Sequence, residues 1–150
     1  MNIQDVISPE RILFLDNETR TGAIKKLVPL LAGVPGMPDE DDLEVAFLQR
    51  EEMMSTGIGM GIGVPHVRLQ EIDSLVMAVS VCADGIADYP SIDNEPVKIV
   101  AMIAAGASQH GEYIKMLARV VSVLKSEETR NAILNSESAD EVYALLCQDN

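Results

Sequence analysis

Apolar and polar positions change period several times along the chain, and each change marks an element. Ile12-Leu13-Phe14-Leu15 is a short apolar run of the kind a strand makes. Asp16 to Arg20 then supplies capping side chains before Ala23, Leu27, Leu30 and Leu31 recur at helical spacing. Gly33 to Pro38 interrupts that helix. Asp39 to Asp42 places carboxylates where the positive end of a helix dipole favours them, and the second helix runs to about Glu52. On it Leu43, Ala46, Phe47 and Arg50 share a face at i, i+3, i+4 and i+7, so Arg50 travels with the apolar stripe.

Beyond it, Ser55 to His66 reads STGIGMGIGVPH, a loop running into a strand. Leu75 to Cys82 and Val97 to Ala105 are apolar runs rich in β-branched residues and read as buried strands, with a polar, turn-rich stretch from Asp84 to Pro96 between them. The period then lengthens. Tyr113, Leu117, Val120, Val121 and Leu124 make a wide apolar face opposite Lys115, Arg119 and Ser122, and short helices follow near 127–135 and 139–147. This order of strand, two helices, about three strands and then helices departs from regular βαβ alternation. It predicts an α/β fold over residues 1–150, a single domain with one mixed sheet and helices on both faces.

Composition narrows the function. The chain has 150 residues, 47% of them hydrophobic, and a domain of that size buries roughly 70% of its unfolded surface without disulfides or a structural metal. Its net charge of −13 repels polyanions, which excludes nucleic acid and anionic membrane surfaces as partners. Cys82 and Cys147 stand far apart with no Cys/His cluster beside them, so neither a disulfide framework nor a metal site is expected, and Cys82 reads as a small core residue. No apolar h-region opens the chain and no window reaches the 18 or so apolar residues of a membrane span, so a cytoplasmic protein without membrane insertion is expected. Neither G-x-G-x-x-G nor a P-loop is present, and no cofactor is expected. Asp84, Asp88, Asp93 and Glu95 lack the spacing of a calcium loop and read as a solvated turn. Met53, Met54 and Met60 read as core fillers, with Met60 alternatively on an apolar docking rim.

The cations are placed unevenly. Between Lys26 and Lys98 only Arg50 and Arg68 are basic, and they bracket the glycine-rich segment that ends at Pro65-His66. Closely spaced glycines let backbone N–H groups turn toward an anion, and two guanidinium groups neutralise a phosphoryl group by forked hydrogen bonds. A neutral imidazole is a nucleophile at one nitrogen while a hydrogen bond at the other fixes its tautomer, which suits His66 as a phosphoryl acceptor. Pro65 sets the backbone direction before it and Gly63 leaves room beside it. Bland readings compete: the glycine alternation also suits a strand packed closely on a neighbour, a histidine after proline is often structural, and Arg50 suits a helix C-terminus.

Arg50-Glu51, followed by Ser55 to His66, resembles the signature of the enzyme IIA domains of the fructose/mannitol class in the bacterial phosphoenolpyruvate-dependent phosphotransferase system, including its nitrogen-regulatory branch. The resemblance extends through the opening strand and helix, Asp93 to Val97 (DNEPV), and the tail with Ser138-Ala139-Asp140-Glu141-Val142. It implies a phosphocarrier whose His66 accepts a phosphoryl group from phospho-HPr and passes it to a IIB domain, or uses it to switch binding to a regulatory target protein. The lack of a membrane or IIB-like segment in these residues leans toward the regulatory branch. Arg50 matches the family's active-site arginine and Arg68 the arginine common after Pro-His. Ser55 and Thr56 match loop positions beside the site, where with Gly63 they would bind the phosphoryl group or simply pack. The sequence departs from the pattern at Tyr113, which stands where the family usually has a second histidine, with His110 three residues earlier. A helix that begins before Gly111 places both on one face.

Overall fold

The computed structural model describes residues 1–148, so the last two positions of the expected domain lie outside the described residues. Two 3₁₀ turns, Ile3–Asp5 and Pro9–Arg11, lead into β1 (Ile12–Phe14), α1 (Arg20–Ala32) and α2 (Glu40–Met53). Then come β2 (Gly57–Gly59), β3 (Ile62–Gly63), β4 (His66–Leu69), β5 (Val76–Ile86) and β6 (Val97–Gly106), followed by α3 (His110–Leu124), α4 (Glu127–Leu134) and α5 (Ala139–Cys147). Four of the helices begin at a side-chain cap, the first two of them in the stretches that the sequence marks as helix starts. Thr19 accepts the Gly22 N–H, Asp39 the Asp41 N–H, Ser126 the Thr129 N–H and Ser138 the Glu141 N–H, each satisfying a donor that the first turn leaves orphaned.

The sheet runs β1-β5-β6-β3-β2. It is mixed, as expected: β1 is parallel to β5, β5 antiparallel to β6, and β3 parallel to β6. The residues of β5 and β6 divide by the two-residue period of a strand. Met77, Val79, Val81, Ile99, Ala101 and Ile103 pack with Met116, Val120 and Leu124 of α3, Ile133 of α4 and Leu146 of α5. Their alternates, Val76, Ala78, Cys82, Val100, Met102 and Ala104, pack with Ile24, Leu27 and Leu31 of α1 and with Leu43 and Phe47 of α2. Both faces of the central strands are therefore dry, which is why their sequences are continuously apolar. β5 continues past Cys82 to Ile86 through a register shift between Val81 and Ile86, where Ala83, Asp84 and Gly85 hide the strand pattern.

The glycine-rich segment differs from the expected loop into one strand. It is a hairpin of β2 and β3, followed by a break at Val64-Pro65 and a restart as β4. Gly59, Met60 and Gly61 all have left-handed backbone, with φ of 96, 59 and 76 degrees, and flanking glycines supply that conformation at no steric penalty. The turn is stapled from the 91–95 loop, where Ser91 Oγ accepts the Gly59 N–H and Asp93 Oδ2 the Met60 N–H, each at 2.9 Å. The Met60 N–H, joined by the Glu95 N–H, holds the Asp93 carboxyl below the usual carboxylate range. Gly57 has a different reason to be glycine. A Cβ there would lie 2.3 Å from the Pro90 carbonyl oxygen, a backbone atom that cannot rotate away. Gly57→Ala is expected to destabilise the fold by about 1–3 kcal/mol through overpacking, read as a lower urea midpoint; an unchanged midpoint would show that the two segments separate freely.

Candidate functional site

Pro65 lacks an N–H, yet its carbonyl accepts the Ile103 N–H at 2.9 Å, so the chain stays registered on β6 through the break. β4 then pairs parallel to β6, His66 opposite Ile103. β4 is an edge strand at this end of the sheet. Helices α2 and α3 lie on opposite faces, and at that edge both reach the same space. The result is a cleft of about 530 Å³ lined by Arg50 and Met53 of α2, His66 and Arg68 of β4, and His110 and Tyr113 of α3.

The half-buried His66 ring is held on two sides. Its Nδ1 lies 2.9 Å from the Val64 carbonyl oxygen. A carbonyl only accepts, so Nδ1 carries the proton and Nε2 the lone pair. The buried Tyr113 ring packs against it, centroids 4.9 Å apart and planes 32° from parallel. Burial lowers the His66 pKa below 6.5; Arg50 and Arg68 push the same way, while the Val64 carbonyl and Glu51 oppose. The unfolded chain therefore binds the proton at higher pH than the folded one. The stability contributed by neutral His66 is complete above about pH 6.5 and is lost as pH falls through the lower folded value. An NMR titration of the His66 ring is expected to give a midpoint below 6.5, and a midpoint above it would contradict the burial.

Arg50 lines the cleft and also closes its own helix, with Nη1 2.9 Å from the Met54 carbonyl oxygen. The cleft and the helix-terminal reading thus both apply, since one guanidinium has five N–H donors. Arg68 stands two residues beyond His66, on the same side of the strand. α3 begins at His110, so His110 and Tyr113 are one turn apart and border the cleft together.

Of the two readings of Ser55, Thr56 and Gly63, packing is the one their contacts fit, and none of the three lines the cleft. Ser55 Oγ donates to the Pro90 carbonyl at 2.6 Å. The buried Thr56 hydroxyl is held between Glu51 Oε1 and the Tyr89 hydroxyl. Gly63 backs onto Tyr89, where a Cβ would meet the hydroxyl at 2.7 Å. The N–H groups of Gly57, Gly59 and Met60 are also taken, by Ser55, Ser91 and Asp93. These three donors of the glycine hairpin are therefore engaged within the fold and not turned toward an anion. Met53 and Met54 are 82% and 70% exposed rather than core, because they fall where α2 ends and its buried stripe stops. Met60 sits away from the cleft with its sulfur 3.7 Å from Arg130 Nη1.

Residues 5–149 match the model of the family described as "Phosphoenolpyruvate-dependent sugar phosphotransferase system, EIIA 2". The chain belongs to that family. This EIIA chain is 30% identical to the fructose-specific EIIA component of Haloferax volcanii over 99% of its own length and 98% of the relative. It is also 30% identical to the fructose-specific EIIABC component of Bacillus subtilis, of which it spans 23%. Its fold is that of the nitrogen regulatory protein IIA-Ntr from Neisseria meningitidis, with TM-score 0.87, 20% identity, and 96% of this chain and 98% of that one covered. It is shared too by IIA mannitol in its complex with phosphorylated IIB mannitol from Escherichia coli, with TM-score 0.78, 22% identity, and 93% and 96% covered. Among the described residues of the EIIA chain no helix is long and apolar enough to cross a membrane.

Sequence reasoning passed over Tyr89 and the burial of Glu51, whose carboxylate is 4% exposed. The only local signal for Glu51 is its place beside Arg50. Nothing near Tyr89 marks it, since its partners Thr56 and Gly63 are remote in sequence.

Proposed function

We propose that this EIIA chain is a phosphocarrier whose His66 Nε2 takes a phosphoryl group from the phosphohistidine of HPr and hands it to a IIB domain. The observation that carries the reading is the tautomer: Val64 holds the Nδ1 proton, leaving Nε2 as the nucleophile in a cleft that two arginines line. As the new P–N bond forms, the P–N bond to the donor's histidine breaks and its electron pair returns to that ring. The Nδ1 proton stays in place, and the positive charge that His66 gains is stabilised by the Val64 carbonyl. Arg50 and Arg68 face the charge spread over the phosphoryl oxygens, where phosphoryl transfer asks most of a protein. His110 and Tyr113 close the other wall, Tyr113 orienting the ring by packing.

A second use of the same chemistry is supported by the rim. Met53 is largely exposed at the mouth of the cleft, and a dianionic phosphoryl group beside an apolar contact would alter how a regulatory protein docks there. Offering the phosphorylated form to a IIB domain separates the two, because a switch retains its phosphoryl group.

Incubation with phosphoenolpyruvate, enzyme I and HPr is the direct test. One acid-labile phosphoryl group by intact mass is expected, and an unmodified protein would overturn the reading. Arg50→Ala is expected to slow uptake at least about tenfold, since losing roughly 1.4 kcal/mol of transition-state stabilisation suffices; an unchanged single-turnover rate would remove Arg50 from the mechanism.

A further inference from the structure

We propose that Glu51 and Thr56 are positioning residues that set the His66 tautomer through the backbone of Val64. The inference rests on the phosphocarrier reading for its purpose and on hydrogen bonds for its content. Val64 lies between β3 and β4, outside both ladders, so the aim of its carbonyl depends on what else holds its residue. Its N–H donates to the Thr56 carbonyl at 3.0 Å, and its own carbonyl receives the His66 Nδ1 proton at 2.9 Å. Thr56 is in turn anchored by its side chain. Glu51 Oε1 accepts the Thr56 hydroxyl, and the Tyr89 hydroxyl, 2.7 Å away, donates to it. An unbroken chain of contacts thus joins the buried Glu51 carboxylate to the nitrogen of His66 that carries the proton.

Three observations favour a positioning role over mere stabilisation of the hairpin. Glu51 is 4% exposed, and among the described residues its second oxygen has no hydrogen-bond partner, with the Arg20 guanidinium 3.5 Å away. An imperfectly paired buried carboxylate is costly where an apolar side chain of similar size would pack without penalty. The donors are also directed: an ionised carboxylate only accepts, so the single Thr56 hydroxyl proton points to Glu51 and Tyr89 is left to donate to Thr56. Finally, Glu51 directly follows Arg50 on α2. One helix end therefore fixes both the cation at the cleft and the anchor behind the histidine, and keeps their separation constant.

The test reads the tautomer in the unphosphorylated protein by ¹⁵N NMR of the His66 ring. Wild type is expected to show Nδ1 protonated and Nε2 bare at pH 8. Thr56→Val keeps the shape and removes the hydroxyl, and is expected to populate both tautomers; after phosphorylation, ³¹P NMR should find a fraction of the group on Nδ1. Thr56→Ser is expected to restore the single tautomer, which a generic packing defect would not allow. Tyr89→Phe keeps the ring on Gly63 and supplies the same readout if Thr56→Val does not fold. A single wild-type tautomer in every folded variant would overturn the inference. A wild type that shows the expected tautomer but takes up no phosphoryl group would instead overturn the phosphocarrier reading and leave this one standing.

Discussion

His66→Ala is expected to take up no phosphoryl group from phospho-HPr, whatever the donor concentration. The expectation rests on the other nucleophiles within reach. Tyr113 is buried, and burial pushes its phenol above the usual range, so it stays protonated and unreactive near neutral pH. The arginines are permanently cationic. His110 alone has the right chemistry, but it is an exposed residue on the first turn of α3, and among the described residues no carbonyl fixes its tautomer as that of Val64 does for His66. Intact mass after incubation with the donor system is the measurement. Modification that survives in the variant would transfer the acceptor role to His110, which His110→Ala in the same background would show. The fold should remain, because the substitution removes one hydrogen bond worth about 1 kcal/mol and the contact with Tyr113.

Phe47→Ala is expected to have the largest effect on stability. Phe47 is fully buried, among the largest such side chains, and packs with Leu43 and the α1 residues against the even-numbered face of β5 and β6. Truncating a buried phenylalanine costs about 3–5 kcal/mol, part of it for the cavity left behind. Set against a total of about 5–15 kcal/mol for a domain, that is roughly a fifth or more of what holds the fold. The urea midpoint should fall with little change in slope. A functional effect follows from the same helix: Arg50 is one turn further along α2, so the folded fraction should also transfer phosphoryl groups more slowly. A small loss of stability would mean that α2 collapses onto the sheet and refills the space.

The helices were legible because their determinants are local. Asp16 to Arg20 and Asp39 to Asp42 announce helix starts whichever elements pack against them, and the apolar stripe of α3 needs only its own period. Arg50, His66 and Arg68 were legible as a group because a net charge of −13 makes two isolated arginines around a histidine conspicuous. Ser55 and Thr56 were legible as residues beside the site, but their direction was not. Their partners at Pro90 and Tyr89 lie 35 and 33 residues away, and no spacing rule spans a loop of that length. The glycine alternation was ambiguous for a related reason: an N–H turned toward an anion and one turned toward Asp93 leave the same trace in sequence.

By itself, then, the sequence determined the main helices and the long strands, the apolar faces that leave the central strands covered on both sides, and the grouping of His66 with Arg50 and Arg68. Tertiary structure decided where the sheet would have its edge, and so let α2 and α3, from opposite faces, meet at one cleft. It also decided which nitrogen of His66 carries the proton, because that depends on a single carbonyl held by residues from β2's approach, α2 and the 88–96 loop. Periodicity reports which side of an element is dry. The aim of a hydrogen bond across the fold is set by packing distances, which no local pattern encodes.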